Sequence, residues 1–345
     1  MISASAITAL AKAAGFELVG LARAEPIPRE TLLDWLSAGH HADLDWMAER
    51  VDERLDVTRL LPGAKSVISL ACNYWHTDVA SPIARYARGR DYHATMRDRL
   101  RTLRRTLKQA FPGVTDYGAV DANPVMEKVW AVRAGLGTVT KNGCFTTREF
   151  GSYVVLSTMI LDVEVDAYAS ALDEDPCGRC RICIDACPTS ALVADRVVDA
   201  GACLSYQTIE NAQSVPERLR PALQGFIFGC DICQDVCPLN VTPVKAGARF
   251  EPRLLASQSV RAMAGMTRAE FDAWVPGSAL ARAGYDGLRR NAAYALGAVR
   301  DEGARELLLQ LSADANAFVR EAAAWAVSRL DASPTANPVA LPPHR

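Results

Sequence analysis

The sequence predicts a three-part chain: a mixed α and β core, a small cysteine-rich unit, and a short stack of helical repeats. Three observations predict it. Up to about residue 165, short apolar runs bounded by turn residues alternate with helix-periodic stretches. Eight of the ten cysteines lie between positions 177 and 237. Beyond them the chain is alanine-rich, and one helical segment returns at an offset of 31 residues.

In the first part, FELVGLA at 16–22, AKSVISLACNYW at 64–75 and SYVVLSTMILDV at 152–163 read as buried strands. Residues 96–109, MRDRLRTLRRTLKQ, read as a helix with a basic outer face of Arg97, Arg99, Arg101, Arg104, Arg105 and Lys108. In DANPVMEKVWAVRAGLG at 121–137, Asn123 is placed as N-cap, Pro124 as the first helical residue and Gly135 as the stop. Asp121 then precedes a helix N-terminus.

The second part decides the chemistry. The run CxxCxxCxxxCP at Cys177, Cys180, Cys183, Cys187 and Pro188 has the spacing of bacterial ferredoxins. Cys203 and CDICQDVCP, with Cys230, Cys233 and Cys237, supply four more thiols. Zinc prefers isolated CxxC pairs, so two 4Fe-4S clusters are the favoured reading. By ferredoxin logic the ligands cross over, with Cys177, Cys180, Cys183 and Cys237 on one cluster and Cys187, Cys203, Cys230 and Cys233 on the other. Cys72 and Cys144 stand alone and read as small buried side chains. The long insertion between Cys203 and Cys230 departs from a free ferredoxin and suggests a wire inside an enzyme.

In the third part, GLRRNAAYALGAV at 287–299 matches FVREAAAWAVSRL at 318–330, which suggests HEAT-like helix pairs. The expected divisions are 1–165, a ferredoxin-like unit at 166–248, repeats at 249–332 and a loose tail at 333–345. A formal net charge of −2 argues against an overall basic field, so a polyanion would meet only local patches. Lys12 and Glu17 interrupt any leader-like apolar stretch, and no run approaches the roughly 20 apolar residues of a membrane span. A soluble cytoplasmic protein with no membrane partner is expected, and nothing demands more than a monomer.

Five blocks together resemble the epoxyqueuosine reductase family: LLPGAKSVISLACNY, ARYARGRDYH, VDANPVMEKVWAVRAGLG, ACLSYQTIENAQSVPERLRPALQGFIFGCDICQDVCPLN and GSALARAGYDGLRRNAAYALG. The resemblance implies a cobalamin-binding N-terminal domain akin to nitroreductase and reductive dehalogenase cores. It implies cobalamin and two 4Fe-4S clusters as cofactors, and tRNA carrying epoxyqueuosine as substrate, reduced at the wobble position to queuosine with electrons from an unidentified donor. It places the proton donor at Asp121, whose alternative is an Asx turn or helix cap. A helix N-terminus favours the carboxylate, so the expectation is that burial raises the Asp121 pKa.

By position, the corrin contacts implied are Arg54, Tyr86, Asp91, Asn142, Ser152, Ser205 and Gln207. Arg218, Arg220, Arg289 and Arg290 are the tRNA candidates, with Arg290→Glu expected to weaken RNA binding and spare cofactor loading. GLGTVTKNG at 135–143 departs from the family's GLGWxGKN where cofactor or substrate would pass. Two readings compete: another cobalamin and iron-sulfur reductase, dehalogenase-like, acting on a small molecule, and an electron-transfer subunit that only docks partners.

Overall fold

The computed structural model describes residues 1–332 apart from 78, 173, 241 and 242; the expected tail at 333–345 lies outside the described residues. The three runs read as strands form them, as Leu18–Arg23, Ser66–Asn73 and Val154–Leu161. Asp116–Ala119 joins as a fourth, and the order is 18–23, 66–73, 154–161, 116–119, antiparallel throughout. The fourth strand was not expected, because DYGA lacks the β-branched run that marks a strand. Its hydrogen bonds to Val154–Leu161 create it.

Both faces of this sheet are covered, which is why its central strands read as continuous apolar runs. On one face Ile68, Leu70, Cys72 and Met159 pack with Ile7 of helix Ala4–Ala13 and with Met96, Leu100 and Leu103 of helix Tyr92–Ala110. On the other, Val67 and Ile160 meet Trp130, Leu32 and Leu55. The basic helix starts four residues before its expected start because the Asp91 carboxylate caps it, accepting from His93 N at 2.9 Å. Half of its cations are matched locally: Arg104 and Lys108 pair with Asp116, and Arg101 with Asp98.

The helix after Asp121 begins at Glu127, not Pro124, and ends at Arg133. Asn123 does not cap it; its Oδ1 accepts from Val120 N at 3.3 Å. Gly135, at φ +69°, stops it as expected.

In the cysteine-rich unit, short helices Ile182–Ala186 and Ile232–Asp235 pack together. The repeat echo is a helix pair, Gly284–Ala298 against Ala317–Asp331. The matched positions touch: Tyr294 and Trp325 stack edge to face with centroids 5.7 Å apart. Gly297 permits the close approach, since a Cβ there would lie 2.6 Å from Ala326 Cα. The core of this end also takes in Ile83, Ala87, Leu219 and Phe228, so it is continuous with the rest of the chain. Among the described residues no helix is long and apolar enough to cross a membrane.

Candidate active site and cluster cysteines

Asp121 adopts φ +51°, a left-handed conformation that aspartate tolerates better than most residues. Its neighbours hold it there: its N–H donates to Glu127 Oε1 at 2.7 Å, and Ala122 N donates to Val120 O at 2.6 Å. The side chain is 59% exposed, and the groups that meet it come from distant parts of the chain. Tyr92 OH donates to Asp121 Oδ2 at 2.9 Å, and His93 Nε2 lies 2.9 Å from the same oxygen. The other ring nitrogen, Nδ1, is 2.8 Å from Asp91 Oδ1.

The electrostatics correct one expectation. Burial pushes the Asp121 carboxyl up, but the hydrogen bond and charge of His93 and the Tyr92 hydroxyl outweigh it and hold the group below the usual carboxylate range. Burial likewise works against charge on His93, yet its two carboxylate partners raise it to about 9. The carboxyl held protonated is Glu127, pushed up to about 8 by burial and then by the Asp121 charge. His93, Tyr92 and Glu127 were not singled out in the sequence. His93 lies two residues beyond the Asp91 that was, and 28 residues from the carboxylate it meets, so spacing carries no signal.

The cysteines fall into two groups. Burial raises the Cys183 thiol, with Cys237 and Cys177 beside it adding to the effect; Cys237 in turn feels Cys177 and Cys180. Cys203 and Cys230 are raised by burial and feel Cys187, and Cys233 feels both of them. Each group thus takes one member from the other's run.

Donors turn toward the sulfurs, as iron-sulfur ligands require. Lys141 N approaches Cys177 Sγ at 3.5 Å and Ala191 N approaches Cys187 Sγ at 3.3 Å. The Ser205 and Tyr206 amides and the Ser205 hydroxyl face Cys203. Eight thiols in two fours, with amides directed at them, fit two cubane clusters. Among the described residues no three Cys, His, Asp or Glu side chains converge on a single metal-ion position. Cys144 is not remote, because its thiol is hydrogen-bonded to that of Cys233.

Several sequence candidates turn out to be structural. Asn142 is buried, donating to Cys233 O at 3.2 Å while its Oδ1 accepts from Cys144 N and Thr140 Oγ1. Ser152 Oγ donates to Gln234 Oε1 at 2.9 Å and accepts from Asn240. Gln207 is buried between Gly201 O and Asn211. Their polar atoms are partnered within the chain. Arg54, also buried, donates to Trp46 O at 2.7 Å and shapes the loop near Glu127. Asp91 caps a helix and holds His93, and Ser205 serves Cys203.

Tyr86 lies beside the group of side chains around Asp121. It stacks edge to face on Tyr92 and lies within electrostatic reach of Asp121. Its hydroxyl makes no hydrogen bond among the described residues.

The arginines are corrected too. Arg290 is 2% exposed and donates to Gln207 O, Gln213 O and Asn291 Oδ1. Arg289 is buried against Asp314 at 2.5 Å, and Arg220 pairs with Glu321 at 2.5 Å. Only Arg218 of the four is exposed without an ion pair among the described residues. Sequence reading missed Arg282, which is 60% exposed, bound to Glu210 and near enough to Asp121 to lower its pKa. It also missed Arg85, whose buried guanidinium joins Asp231 and Asp235 and ties the last cysteine run to the first part of the chain. GLGTVTKNG forms a small hairpin against the first cysteines rather than beside Asp121.

Family models match three parts of the chain. A family model described as 4Fe-4S double cluster binding domain matches residues 176–240. One described as Epoxyqueuosine reductase QueG, DUF1730, matches 54–122, and one described as HEAT repeats matches 277–343. The epoxyqueuosine reductase of Gloeobacter violaceus is 40% identical over 317 residues, 87% of this chain and 97% of that protein. That of Pseudomonas aeruginosa is 38% identical over 91% of each chain.

Among solved structures, an epoxyqueuosine reductase with a tRNA-Tyr epoxyqueuosine-modified stem loop superposes with TM-score 0.88 at 28% identity, over 94% of this chain and 89% of that one. The Bacillus subtilis enzyme, with its catalytic aspartate loop swung out of the active site, gives 0.87 at 28% identity over 94% and 90%. With identity of this order across nearly the whole of both chains, and eight cluster-type thiols in two groups, the chain belongs to the epoxyqueuosine reductase family.

Proposed function

We propose that this chain reduces epoxyqueuosine at the wobble position of tRNA to queuosine, the last step of queuosine biosynthesis, as a cytoplasmic monomer fed by a separate one-electron donor. The observation that carries this reading is one chain holding an aspartate hydrogen-bonded to a histidine and a tyrosine, and two groups of four thiols in the family's order. The structural relative with an epoxyqueuosine-modified stem loop supports the choice of substrate.

Cobalamin, when bound, supplies a strongly reducing cobalt able to meet an epoxide carbon. Tyr86 and Arg54, with Asp91, Asn142, Ser152, Ser205 and Gln207 further along the chain, would be the residues to hold it. The thiols of Cys177, Cys180, Cys183 and Cys237 would hold one cluster, and those of Cys187, Cys203, Cys230 and Cys233 the other. Asp121 directs a proton to the departing epoxide oxygen. Arg282 near Asp121 and Arg218 on the helical surface offer cations to RNA phosphates, while the wobble base enters unstacked.

The test is conversion of an anticodon stem-loop by protein reconstituted with iron, sulfide and cobalamin, read as loss of one oxygen by mass spectrometry. Asp121→Asn should retain both cofactors by absorption spectrum and lose turnover. Wild-type protein that loads both cofactors and leaves the stem-loop unchanged overturns the reading.

A further inference from the structure

A proton donor must hold a proton, and the surroundings of the Asp121 carboxyl favour its charged form. The hydrogen-bond chain points to where the proton sits. Both nitrogens of the His93 ring face carboxylate oxygens, Nδ1 at 2.8 Å from Asp91 and Nε2 at 2.9 Å from Asp121. A neutral imidazole has one donor and one acceptor nitrogen, and an acceptor would be repelled by the carboxylate facing it. A ring with two N–H groups satisfies both oxygens at once, with its charge matched by the carboxylates on either side.

We propose that His93 is the proton store of the reaction and that Asp121 relays its proton from His93 Nε2 to the leaving epoxide oxygen. The inference rests on the reading above and adds a positioning residue to it. The surroundings suit a relay. Tyr92 OH donates to the same Asp121 oxygen, Glu127 accepts the Asp121 N–H, Arg282 stands near Asp121, and Arg97 Nε donates to His93 O. The tendency of His93 to hold its proton up to about pH 9 agrees with the geometry.

Deoxygenation breaks two C–O bonds, completes one C=C bond and releases the oxygen as water, consuming two electrons and two protons. The electrons come singly from a low-potential one-electron donor by way of the clusters. The first proton leaves His93 through Asp121, giving neutral imidazole and restoring the carboxylate. The second proton and the refilling of His93 come from water, to which the ring is 23% exposed.

His93→Gln tests the relay, because its amide still donates to Asp121 and cannot carry the proton. In single turnover on the stem-loop, wild-type protein should hold its rate until the pair deprotonates near pH 9. The variant leaves Asp121 to an ordinary carboxylate pKa, so its rate at about pH 7.5 should fall by about 10³-fold and recover about tenfold per pH unit on acidification. A variant within about threefold of wild type, with the same alkaline limb, overturns the relay and leaves the proposed activity standing. Wild-type inactivity removes both.

A second readout needs no turnover. With only five histidines in the chain, a ¹⁵N-histidine label resolves His93 in the holoprotein. It should remain doubly protonated past about pH 8 and titrate lower in Asp121→Asn. Ordinary titration near about pH 6.5 in the wild type overturns the relay.

Discussion

Arg290→Met separates a fold-holding arginine from an RNA-gripping one. The guanidinium is sealed from water at 2% exposure, and its partners are two backbone carbonyls, Gln207 and Gln213, and Asn291 Oδ1 at 2.8 and 3.1 Å. Among the described residues no carboxylate pairs with it, and burial lowers its pKa to about 10. Methionine fills similar volume and leaves the buried Gln207 carbonyl and Asn291 Oδ1 without donors, at about 1–3 kcal/mol each, and frees the partly buried Gln213 carbonyl. Relief from burying the charge offsets part of this, and a net loss of about 3 kcal/mol is expected.

The loss also reaches the cluster region. Arg290 and Asn291 hold the carbonyls of Gln207 and Thr208 in helix Leu204–Ile209, which Cys203 caps. Urea unfolding of the holoprotein should show the 3 kcal/mol, together with reduced iron content. Stem-loop affinity of the folded fraction at fixed salt should stay within about twofold. Stability within about 0.5 kcal/mol of wild type, combined with weakened RNA binding, would refute the reasoning.

Cys237→Ala and Cys187→Ala should each lower iron from about eight to about four per chain. The low-temperature EPR signal lost should be the one lost in Cys177→Ala for the first and in Cys203→Ala for the second; the opposite pairing would sink the crossed ligation. Gly297→Val drives a side chain into Ala326 and Trp325, so the helix pair should lose about 1–3 kcal/mol by thermal unfolding, with cluster content unchanged. An unaltered melting profile would show that the pair has slack.

The cluster unit was legible because its ligands are local: a CxxCxxC loop places thiols by covalent spacing, whatever the rest of the chain does. The central strands were legible because burial on both faces demands an unbroken apolar run. Asp116–Ala119 was not, because a strand made by its neighbour's hydrogen bonds leaves no mark in its own composition. The helix after Asp121 was misplaced by three residues because Asn123 and Pro124 serve the strained turn that aims Asp121 rather than the helix start.

What the sequence by itself determined, then, is which residue types exist in sufficient number and spacing: eight thiols for two clusters, an aspartate ahead of a helix, a repeated helical pair. What only the tertiary structure decided is the state those residues are in. The charged form of Asp121 is favoured because His93, 28 residues away, is brought to 2.9 Å. Arg290 is a core residue because its helix turns that side toward carbonyls 77 and 83 residues distant. Charge and protonation depend on distance and water exclusion, and neither is written in sequence spacing.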